Sequence, residues 1–245
     1  MIGWGTIVNV LAILAGGLAG LVSKRFLKER YQETILKVMG FAIVVMALGS
    51  TLSQMFVVNI AAEGDRFSGN LDVQGTMMMI LSLAIGALVG EFINLDHWFE
   101  QFGAWLRDKT GNQGDSRFID AFVSASLTIC VGAMAILGAI QDGLGGNHDT
   151  LYAKAILDLI IIMMMTASLG KGCVFSAIPV AILQGSITLL ARQAASVMTE
   201  AAVQNLALVG NVLILCVGVN LIWPKTIRVA NVLPAIVLAV LFALF

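Results

Sequence analysis

The sequence predicts an all-α fold, namely a polytopic membrane helix bundle with about eight transmembrane helices. The first observation behind this prediction is composition, since 59% of the residues are hydrophobic and only 12% are charged. The mean hydropathy is +0.94. A water-soluble chain of 245 residues could not bury that much apolar surface in its core. Two further observations are recurring apolar runs of membrane length and an uneven distribution of basic residues.

Eight apolar runs are long enough, or nearly so, to cross a bilayer as helices of about 20 residues. They cover residues 2–22, 35–58, 74–93, 118–140, 152–169, 172–191, 204–222 and 229–245. The fifth and eighth runs are short, and the segment that connects the fifth run to the sixth is only two residues long, 170–171. Region 152–191 therefore forms either two full spans or a re-entrant segment, and the sequence leaves both open.

The basic residues predict the orientation of these spans. If the N-terminus lies outside the cytoplasm, the outer side contains only Arg66, Lys154 and Arg192, and the other 11 of the 14 Lys and Arg lie on the cytoplasmic side. Such a bias satisfies the positive-inside rule. We therefore expect both termini on the non-cytoplasmic side. No Lys or Arg precedes the first run, so the basic region of a signal peptide is missing.

An amphipathic helix is predicted between the third and fourth spans. Six apolar side chains recur there at helical spacing and share one face: Leu95, Trp98, Phe99, Phe102, Trp105 and Leu106. Tryptophan is enriched at membrane–water interfaces. The pattern is typical of a helix that lies on the cytoplasmic surface of the membrane.

An internal repeat organises the apolar runs. Residues 127–132 (LTICVG) return at 213–218 (LILCVG), and residues 12–16 (AILAG) resemble 181–185 (AILQG). We interpret the chain, 1–245, as a single membrane domain with an N-terminal helical hairpin (1–58) and an inverted 3+3 repeat. Spans 3–5 (74–169) then correspond to spans 6–8 (172–245). Chance similarity between apolar segments is the alternative. Six glycines are candidates for close helix packing: Gly16, Gly20, Gly86, Gly90, Gly132 and Gly218.

Polar side chains inside these runs are the candidates for a substrate pathway. In the repeat, Asp158 of the fifth span and Asn231 of the eighth span are equivalents. An acid inside a membrane is costly unless it is paired or solvated, and it commonly marks a functional site. The full set of pathway candidates is Asp158, Asn231, Gln184, Gln141, Asp142 and Thr128. The alternative for each, and for Asn9, is a hydrogen bond that joins two helices.

The remaining reactive side chains predict no catalytic, metal or cofactor site. Cys130, Cys173 and Cys216 are widely spaced within apolar runs, and His97 and His148 stand alone in loops. The sequence contains no phosphate-binding G-x-x-x-x-G-K-[ST] motif and no hydrolase motif. A net charge of −1 argues against nucleic acid as a partner.

Four segments resemble a known family: 132–144 (GAMAILGAIQDGL), 154–158 (KAILD), 184–185 (QG) and 228–235 (RVANVLPA). They are similar to the bacterial multi-pass inner-membrane proteins catalogued as domain of unknown function 554. The resemblance covers essentially the whole chain. It implies residence in the bacterial inner (cytoplasmic) membrane and a transporter or channel role. It carries no substrate or functional residues that can be transferred.

We therefore expect a transporter or channel for a small polar or ionic solute, with a midplane site between the inverted repeats. Asp158 would neutralise a cation or carry a proton. The alternative is a non-catalytic structural or regulatory membrane subunit. An intramembrane enzyme acting on a lipid-linked substrate is less favoured, because Asp142, His148 and Asp149 form only a thin cluster. The expected partners are the lipid bilayer, the solute and a second copy of the chain in a dimer. The sequence leaves open the solute and whether the protein is a channel or a carrier.

Overall fold

The protein is a helical bundle, which confirms the prediction of an all-α polytopic membrane fold. A computed structural model describes residues 2–24, 26, 28–63, 66–130, 133–145 and 147–244. The helices are α1 (Trp4–Lys24), α2 (Glu29–Met55), α3 (Thr76–Ile93), α4 (Leu95–Lys109), α5 (Phe118–Cys130), α6 (Ala133–Gly145), α7 (Asp149–Leu169), α8 (Ala177–Leu189), α9 (Ala191–Val197), α10 (Glu200–Ile222), α11 (Val229–Val232) and α12 (Pro234–Leu241). A 3₁₀-helix, Lys171–Ser176, leads into α8.

Six described segments are each long and apolar enough to cross a membrane as one helix: Trp4–Lys24, Glu33–Met55, Thr76–Ile93, Asp149–Leu169, Lys171–Leu189 and Glu200–Ile222. Region 152–191 thus contains two separate helices of spanning length. The broken segment lies earlier, because α5 and α6 meet at an angle of 60° and qualify only together. The last apolar run is shorter and is divided at Pro234 between α11 and α12. The count of eight and the inverted repeat stay predictions.

Glycines allow α1 and α7 to pack backbone against backbone. A methyl group on Gly16 would overlap the carbonyl oxygen of Leu159, and one on Gly20 would overlap that of Met163. Because the residue numbers of the contacting positions increase together along α1 and α7, the two helices run in the same direction. The close approach brings the polar residues in the first half of α1 beside those of α7.

A second glycine pair brings α3 against the last apolar run. A methyl group on Gly86 would overlap the backbone of Ala235, and one on Gly90 would overlap the carbonyl oxygen of Asn231. The residue numbers of the contacting positions rise along α3 while they fall along the last run, so α3 runs antiparallel to α11 and α12. Farther along the bundle, Gly218 lies against α2, and Gly132 lies outside the described residues.

The bent pair α5–α6 extends from one end of α1 to the other. Phe118, at the start of α5, lies against Gly172 beside the C-terminal end of α1. Near the end of α6, Gly143 lies against Thr188 of α8. The hydroxyl of Thr188 in turn contacts the hydroxyl of Thr6 near the start of α1. The two helices of this bent pair therefore pack at opposite ends of α1.

Two antiparallel strands, β1 (Phe56–Glu63) and β2 (Arg66–Val73), follow α2. Phe56 pairs with Val73 and Glu63 with Arg66. The second predicted span, 35–58, was therefore too long, because α2 ends at Met55 and residues 56–58 belong to β1. The run after Met55 contains Val57, Val58 and Ile60, and β-branched side chains favour strands. Hydropathy alone did not separate this strand from the preceding helix.

The predicted amphipathic helix is α4. Its buried side is anchored by Leu106, which is 3% exposed, and by Phe102, whose ring centroid lies 5.8 Å from that of Phe122. Trp98 and Trp105 are 66% and 54% exposed. The helix thus packs on α5 with one side and presents two indole rings outward, as an interfacial helix does.

Candidate functional site: a buried polar layer

Four polar side chains meet inside the bundle, and we call them the polar layer: Asn9 of α1, Lys154 and Asp158 of α7, and Gln184 of α8. Asn9 and Gln184 are fully buried, Asp158 is 3% exposed and Lys154 is 7% exposed. Asp158 lies nine residues after the start of α7, which is about 13 Å along a helix roughly 31 Å long. The layer therefore lies near the middle of a membrane-length helix.

Lys154 and Asp158 form an ion pair within one helix. Lys154 Nζ donates to Asp158 Oδ1 at 2.8 Å and to Asp158 Oδ2 at 2.7 Å. The spacing of four residues places both side chains on the same face of α7. Removing either partner would leave an uncompensated buried charge, which typically costs about 3–5 kcal/mol.

The third acceptor of Lys154 is a backbone carbonyl. Lys154 Nζ donates to Ile129 O at 2.9 Å, so its three N–H donors have three oxygen acceptors. Ile129 lies in the last turn of α5, which ends at Cys130. The oxygen that contacts Lys154 therefore lies next to the bend between α5 and α6.

Asn9 connects the ion pair to α8. Its Nδ2 donates to Asp158 Oδ2 at 3.1 Å and to Gln184 Oε1 at 3.2 Å. Two buried atoms of these amides, Asn9 Oδ1 and Gln184 Nε2, have no hydrogen-bond partner among the described residues. Buried polar atoms are usually paired, so an unpaired acceptor and an unpaired donor in one layer point to a ligand or an ordered water.

A second polar cluster lies toward the start of α1. His148 Nδ1 lies 2.6 Å from Asp142 Oδ1, and Asp142 Oδ2 accepts a hydrogen bond from Thr6 N at 3.3 Å. Thr6 Oγ1 lies 3.3 Å from Thr188 Oγ1. Thr6 is three residues before Asn9, and Thr188 is one turn after Gln184. Two polar contacts, Thr6–Thr188 and Asn9–Gln184, therefore join the antiparallel helices α1 and α8. The outermost member, His148, has a side chain that is 15% exposed.

A cavity of about 1010 Å³ opens at the other end of the bundle. Its lining includes charged side chains of both signs: Glu33, Asp96, Arg117, Asp120, Lys225 and Arg228. Lys225 pairs with Asp120 at 3.2 Å, and hydrogen bonding to Asp120 and its charge raise the pKa of Lys225. The lining also includes Leu127, two residues before Ile129 in α5. Ile129, Lys154 and Asp158 are not among the lining residues.

The structure places the predicted pathway residues in several surroundings. Asp158 and Gln184 share the polar layer, and Asp142 is fully buried in the neighbouring cluster. Gln141 is exposed and its Oε1 accepts from Thr150 Oγ1 at 2.7 Å. Thr128 Oγ1 donates to the carbonyl of Ser124 in its own helix at 2.7 Å.

Asn231 lies apart from this group. Its Oδ1 accepts a hydrogen bond from the backbone N–H of Asp96 at 2.6 Å, at the start of α4. Asp158 contacts Asn9 and Lys154 instead. The structure therefore does not bring the two residues that the repeat pairs into one contact, because α3 and α4 lie against α11 while α1 lies against α7.

Two members of the layer were not among the predicted pathway residues. Lys154 was counted with the outer surface, because it lies only three residues into a predicted span, yet it is buried beside Asp158. Its spacing of four from Asp158 was the available signal. Asn9 carried no such signal, since its contacts to Asp158 and Gln184 join residues 149 and 175 positions away.

Among the described residues, no three His, Cys, Asp or Glu side chains are placed to hold a metal ion. Cys130, Cys173 and Cys216 are free thiols. The chemistry available in the layer is therefore that of one carboxylate, one ammonium group, two amides and a backbone carbonyl.

Comparison with known proteins gives the following. The family model described as "Protein of unknown function (DUF554)" matches residues 4–244. The chain is 27% identical over 235 residues to the "Uncharacterized membrane protein YdfK" of Bacillus subtilis (strain 168), covering 96% of this chain and 93% of that protein. It is 28% identical over 239 residues to the "Uncharacterized protein YqgA" of Escherichia coli (strain K12), covering 96% and 94%. No solved structure matches it.

Proposed function

The chain belongs to the family described as "Protein of unknown function (DUF554)", and on that premise we propose that it is a transporter or channel for a small polar or ionic solute. The pathway passes through the polar layer. The protein resides in the bacterial inner membrane with both termini outside the cytoplasm. It acts as a conduit and not as an enzyme, and a second copy of the chain is its expected protein partner.

The observation that supports this proposal most strongly is the buried Lys154–Asp158 ion pair, whose acid lies near the middle of a membrane-length helix. Ionisable side chains at that depth are costly, and they typically line substrate or proton pathways. The pair also contacts the broken end of α5 through Ile129 O. Transporters commonly build their sites from interrupted helices whose freed carbonyls face the solute.

A chain of polar groups leads to the layer from one end of the bundle, and a charged cavity opens at the other end. From one end, His148, Asp142, Thr6 and Thr188 lead to Asn9 and Gln184. From the other end, the charged cavity reaches Leu127 in α5. Asp158 lies between the two approaches. A change in the angle between α5 and α6 would expose the layer to either side.

One observation favours a second function, that of a structural or regulatory membrane subunit. All three N–H donors of Lys154 are already paired with oxygen atoms. Such a pair can hold three helices together without binding any solute. In this alternative the polar layer fixes the register of α1, α5 and α7.

Solute flux in proteoliposomes tests the proposal. The purified full-length protein is reconstituted, and uptake is followed for a panel of small cations, anions and amino acids. We compare wild type with Asp158→Asn and with the matched control Asp149→Asn, which changes an exposed acid at the start of the same helix. We expect wild-type flux of at least one solute, a loss of at least tenfold in Asp158→Asn, and no change in Asp149→Asn.

The result that contradicts the proposal is equal flux in wild-type and protein-free vesicles for every solute, with all three proteins inserted and folded. That result would favour the subunit function. Flux that is equal in wild type and Asp158→Asn would keep the conduit and remove Asp158 from its pathway.

A further inference from the structure

We propose that the bundle binds one molecule of a zwitterionic phospholipid that carries a phosphoethanolamine headgroup. The headgroup occupies the charged cavity of about 1010 Å³, and an acyl chain occupies an apolar groove beside it. The lipid comes from the leaflet in which α4 lies. This inference goes beyond the proposed function, because it assigns a partner to surfaces outside the polar layer.

The apolar groove has a volume of about 580 Å³ and opens on the outer surface of the bundle. Trp98 of α4, Ile182 of α8 and Val237 of α12 line it and are 66%, 62% and 61% exposed. Within the part of the chain that the structure describes, no charged side chain lines the groove. In a membrane such a surface is in contact with lipid.

The groove and the charged cavity share a wall. Leu127 of α5 lines both of them. On α4, Asp96 and Glu100 line the charged cavity. Trp98 and Phe102 of the same helix line the groove. The interfacial helix α4 therefore separates a polar compartment from an apolar one at the level of the membrane surface, where the headgroup and the acyl region of a lipid meet.

Together the two compartments have the depth of one lipid leaflet. On α10, Asn220 lines the charged cavity and Leu206 lines the groove. At 1.5 Å per residue these two positions lie about 21 Å apart along the helix. A bilayer with its headgroup regions is about 40–45 Å thick, so one leaflet occupies about 20–22 Å. A lipid with its headgroup in the charged cavity therefore extends to the far end of the groove.

Charges of both signs in the cavity lack an ion-pair partner. Two of the lining basic residues, Lys225 and Arg228, are already in ion pairs. Three lining residues form no ion pair with any described residue, namely Asp96, Glu100 and Arg117. Two carboxylates are complementary to an ammonium group, and a guanidinium group is complementary to a phosphate. These three side chains therefore match both charges of a phosphoethanolamine headgroup.

The excess of acid distinguishes this headgroup from other headgroups. Burial raises the pKa of Asp96, although the charges of Arg228 and Lys225 act in the opposite direction. The nearby basic residues thus do not fully compensate this carboxyl group. A primary ammonium group brings a positive charge and three hydrogen-bond donors, whereas the quaternary ammonium group of phosphatidylcholine has no N–H to donate. Phosphatidylglycerol brings a negative charge alone and leaves both acids uncompensated.

Each compartment also contains a buried hydroxyl group without a partner. Ser126 lines the groove beside Leu127 and is 1% exposed, and Ser168 lines the charged cavity and is 4% exposed. The Oγ atoms of both have no hydrogen-bond partner among the described residues. Buried hydroxyl groups are usually paired. The ester carbonyls of a phospholipid lie between headgroup and acyl chain, so a lipid held across Leu127 supplies acceptors at this level.

Native mass spectrometry of lipid binding tests the inference. The full-length protein is purified in detergent, stripped of lipid and titrated separately with dioleoyl phosphatidylethanolamine, phosphatidylglycerol and phosphatidylcholine, without any solute. We expect the first phosphatidylethanolamine molecule to bind roughly tenfold more tightly than the first molecule of either other lipid. The headgroup alone, glycerophosphoethanolamine, should displace it only at roughly a hundredfold higher concentration or more, because it buries no acyl chain.

Two variants examine the headgroup and the acyl chain separately. Asp96→Asn/Glu100→Gln removes the unpaired acids and should abolish the preference for phosphatidylethanolamine. Its control, Asp108→Asn, changes an exposed acid of α4 outside the cavity and should keep the preference. Ile182→Trp fills the groove and should weaken the binding of all three lipids. Its control, Ile156→Trp, changes a 65% exposed side chain that lines neither compartment and should bind lipid as wild type does.

Three results would overturn the inference. Equal affinity of wild type for the three lipids would mean that only unselective surface lipid is bound. Equal affinities in Ile182→Trp and Ile156→Trp would exclude the groove. Displacement by glycerophosphoethanolamine at the concentration of the lipid itself would mean that the cavity binds a soluble phosphate compound. The comparison of lipids on wild type needs no variant, so it decides the question even if a variant does not fold. Solute flux is measured separately, so the proposed function and this inference can fail independently.

Discussion

Two regions of the bundle use the same backbone packing and place different polar groups beside it. In the first, Gly16 and Gly20 let α1 lie directly on α7, beside Asp158. In the second, Gly86 and Gly90 let α3 lie directly on α11 and α12, beside Asn231. Both contacts rest on a pair of glycines four residues apart. Among the described residues, the ion pair beside the first, Lys154–Asp158, is buried, whereas the one beside the second, Arg228–Glu91, is exposed.

The two regions differ in how a buried polar residue obtains its partner. Asp158 is charged, and its partner Lys154 lies four residues earlier in the same helix. Asn231 is neutral: its Oδ1 accepts a backbone N–H from Asp96, and its buried Nδ2 has no hydrogen-bond partner among the described residues. A structural amide needs one weak donor, whereas a carboxylate in a low-dielectric region needs a full countercharge. The first region is therefore the candidate for a solute site, and we call the second, where Asn231 joins α11 to the start of α4, the joint.

The largest effect is expected from breaking the ion pair of the first region. Asp158→Ala leaves Lys154 with Ile129 O alone, and an unpaired buried charge should lower the free energy of unfolding by about 3–5 kcal/mol. Denaturant unfolding in detergent measures this change. The double variant Lys154→Met/Asp158→Leu removes both charges and should lose far less. A loss in the double variant equal to the sum of the losses in Lys154→Met and Asp158→Leu would show that the pair is not coupled.

The glycine contacts should give the next largest effects. Gly16→Ala and Gly86→Ala each place a methyl group against backbone atoms, and such overpacking typically costs about 1–3 kcal/mol. Gly185 is the control, because the sequence repeat aligns it with Gly16 and yet a methyl group there meets nothing within 4 Å. Thermal unfolding of the three variants should separate the first two from Gly185→Ala. A loss of stability in Gly185→Ala as large as in the others would contradict the packing described for α8.

Substitution of Asn231, at the joint of the second region, should have only a small effect on stability. Asn231→Leu removes the acceptor of the Asp96 N–H, which is only partly buried, so we expect a loss of about 1 kcal/mol in unfolding free energy. Solute flux should stay near the wild-type value, in contrast to Asp158→Asn. A flux loss of tenfold or more in Asn231→Leu would instead place the second region on the pathway, as the repeat predicts.

The smallest effect is expected for an exposed ion pair, which provides a baseline for the buried one. Asp120 raises the pKa of Lys225 above its ordinary value of 10.5, and both side chains are more than half exposed. Because the folded pKa is the higher one, the stabilising contribution is complete below the ordinary value and is lost as pH rises through the folded pKa. Asp120→Asn should therefore lower stability by less than about 1 kcal/mol at pH 8. The difference from wild type should shrink above pH 11 and in high salt.

Composition and periodicity were sufficient to predict the membrane helices, because hydrocarbon forces each spanning segment to satisfy its own backbone hydrogen bonds. Asp158 and Gln184 could be selected for the same reason, since a polar group inside such a segment needs an explanation. The break in α5–α6 fell inside a run whose apolar composition continues on both sides. Hydropathy measures composition and not helix continuity, so this break was not visible in it.

The pairing of helices was harder to predict than the helices themselves. Asn9 meets Asp158 and Gln184 only because α1 packs on α7 and α8. The repeat instead set α1 aside in an N-terminal hairpin. Small residues such as Gly16 show that a helix packs closely, but they do not specify its partner, since any helix backbone can fill the same groove.

The spacing of Lys154 and Asp158 has a consequence for biogenesis. Both charges belong to one helical segment, so they can neutralise each other while that segment enters the bilayer, before any neighbouring helix is present. Each charge alone would raise the insertion free energy by about 2.5–3.5 kcal/mol at the helix centre. We therefore expect the isolated 149–169 segment to be inserted more efficiently than a version in which Lys154 and Ile156 exchange places. A translocon insertion assay with glycosylation reporters compares the two, and equal efficiencies would contradict this expectation.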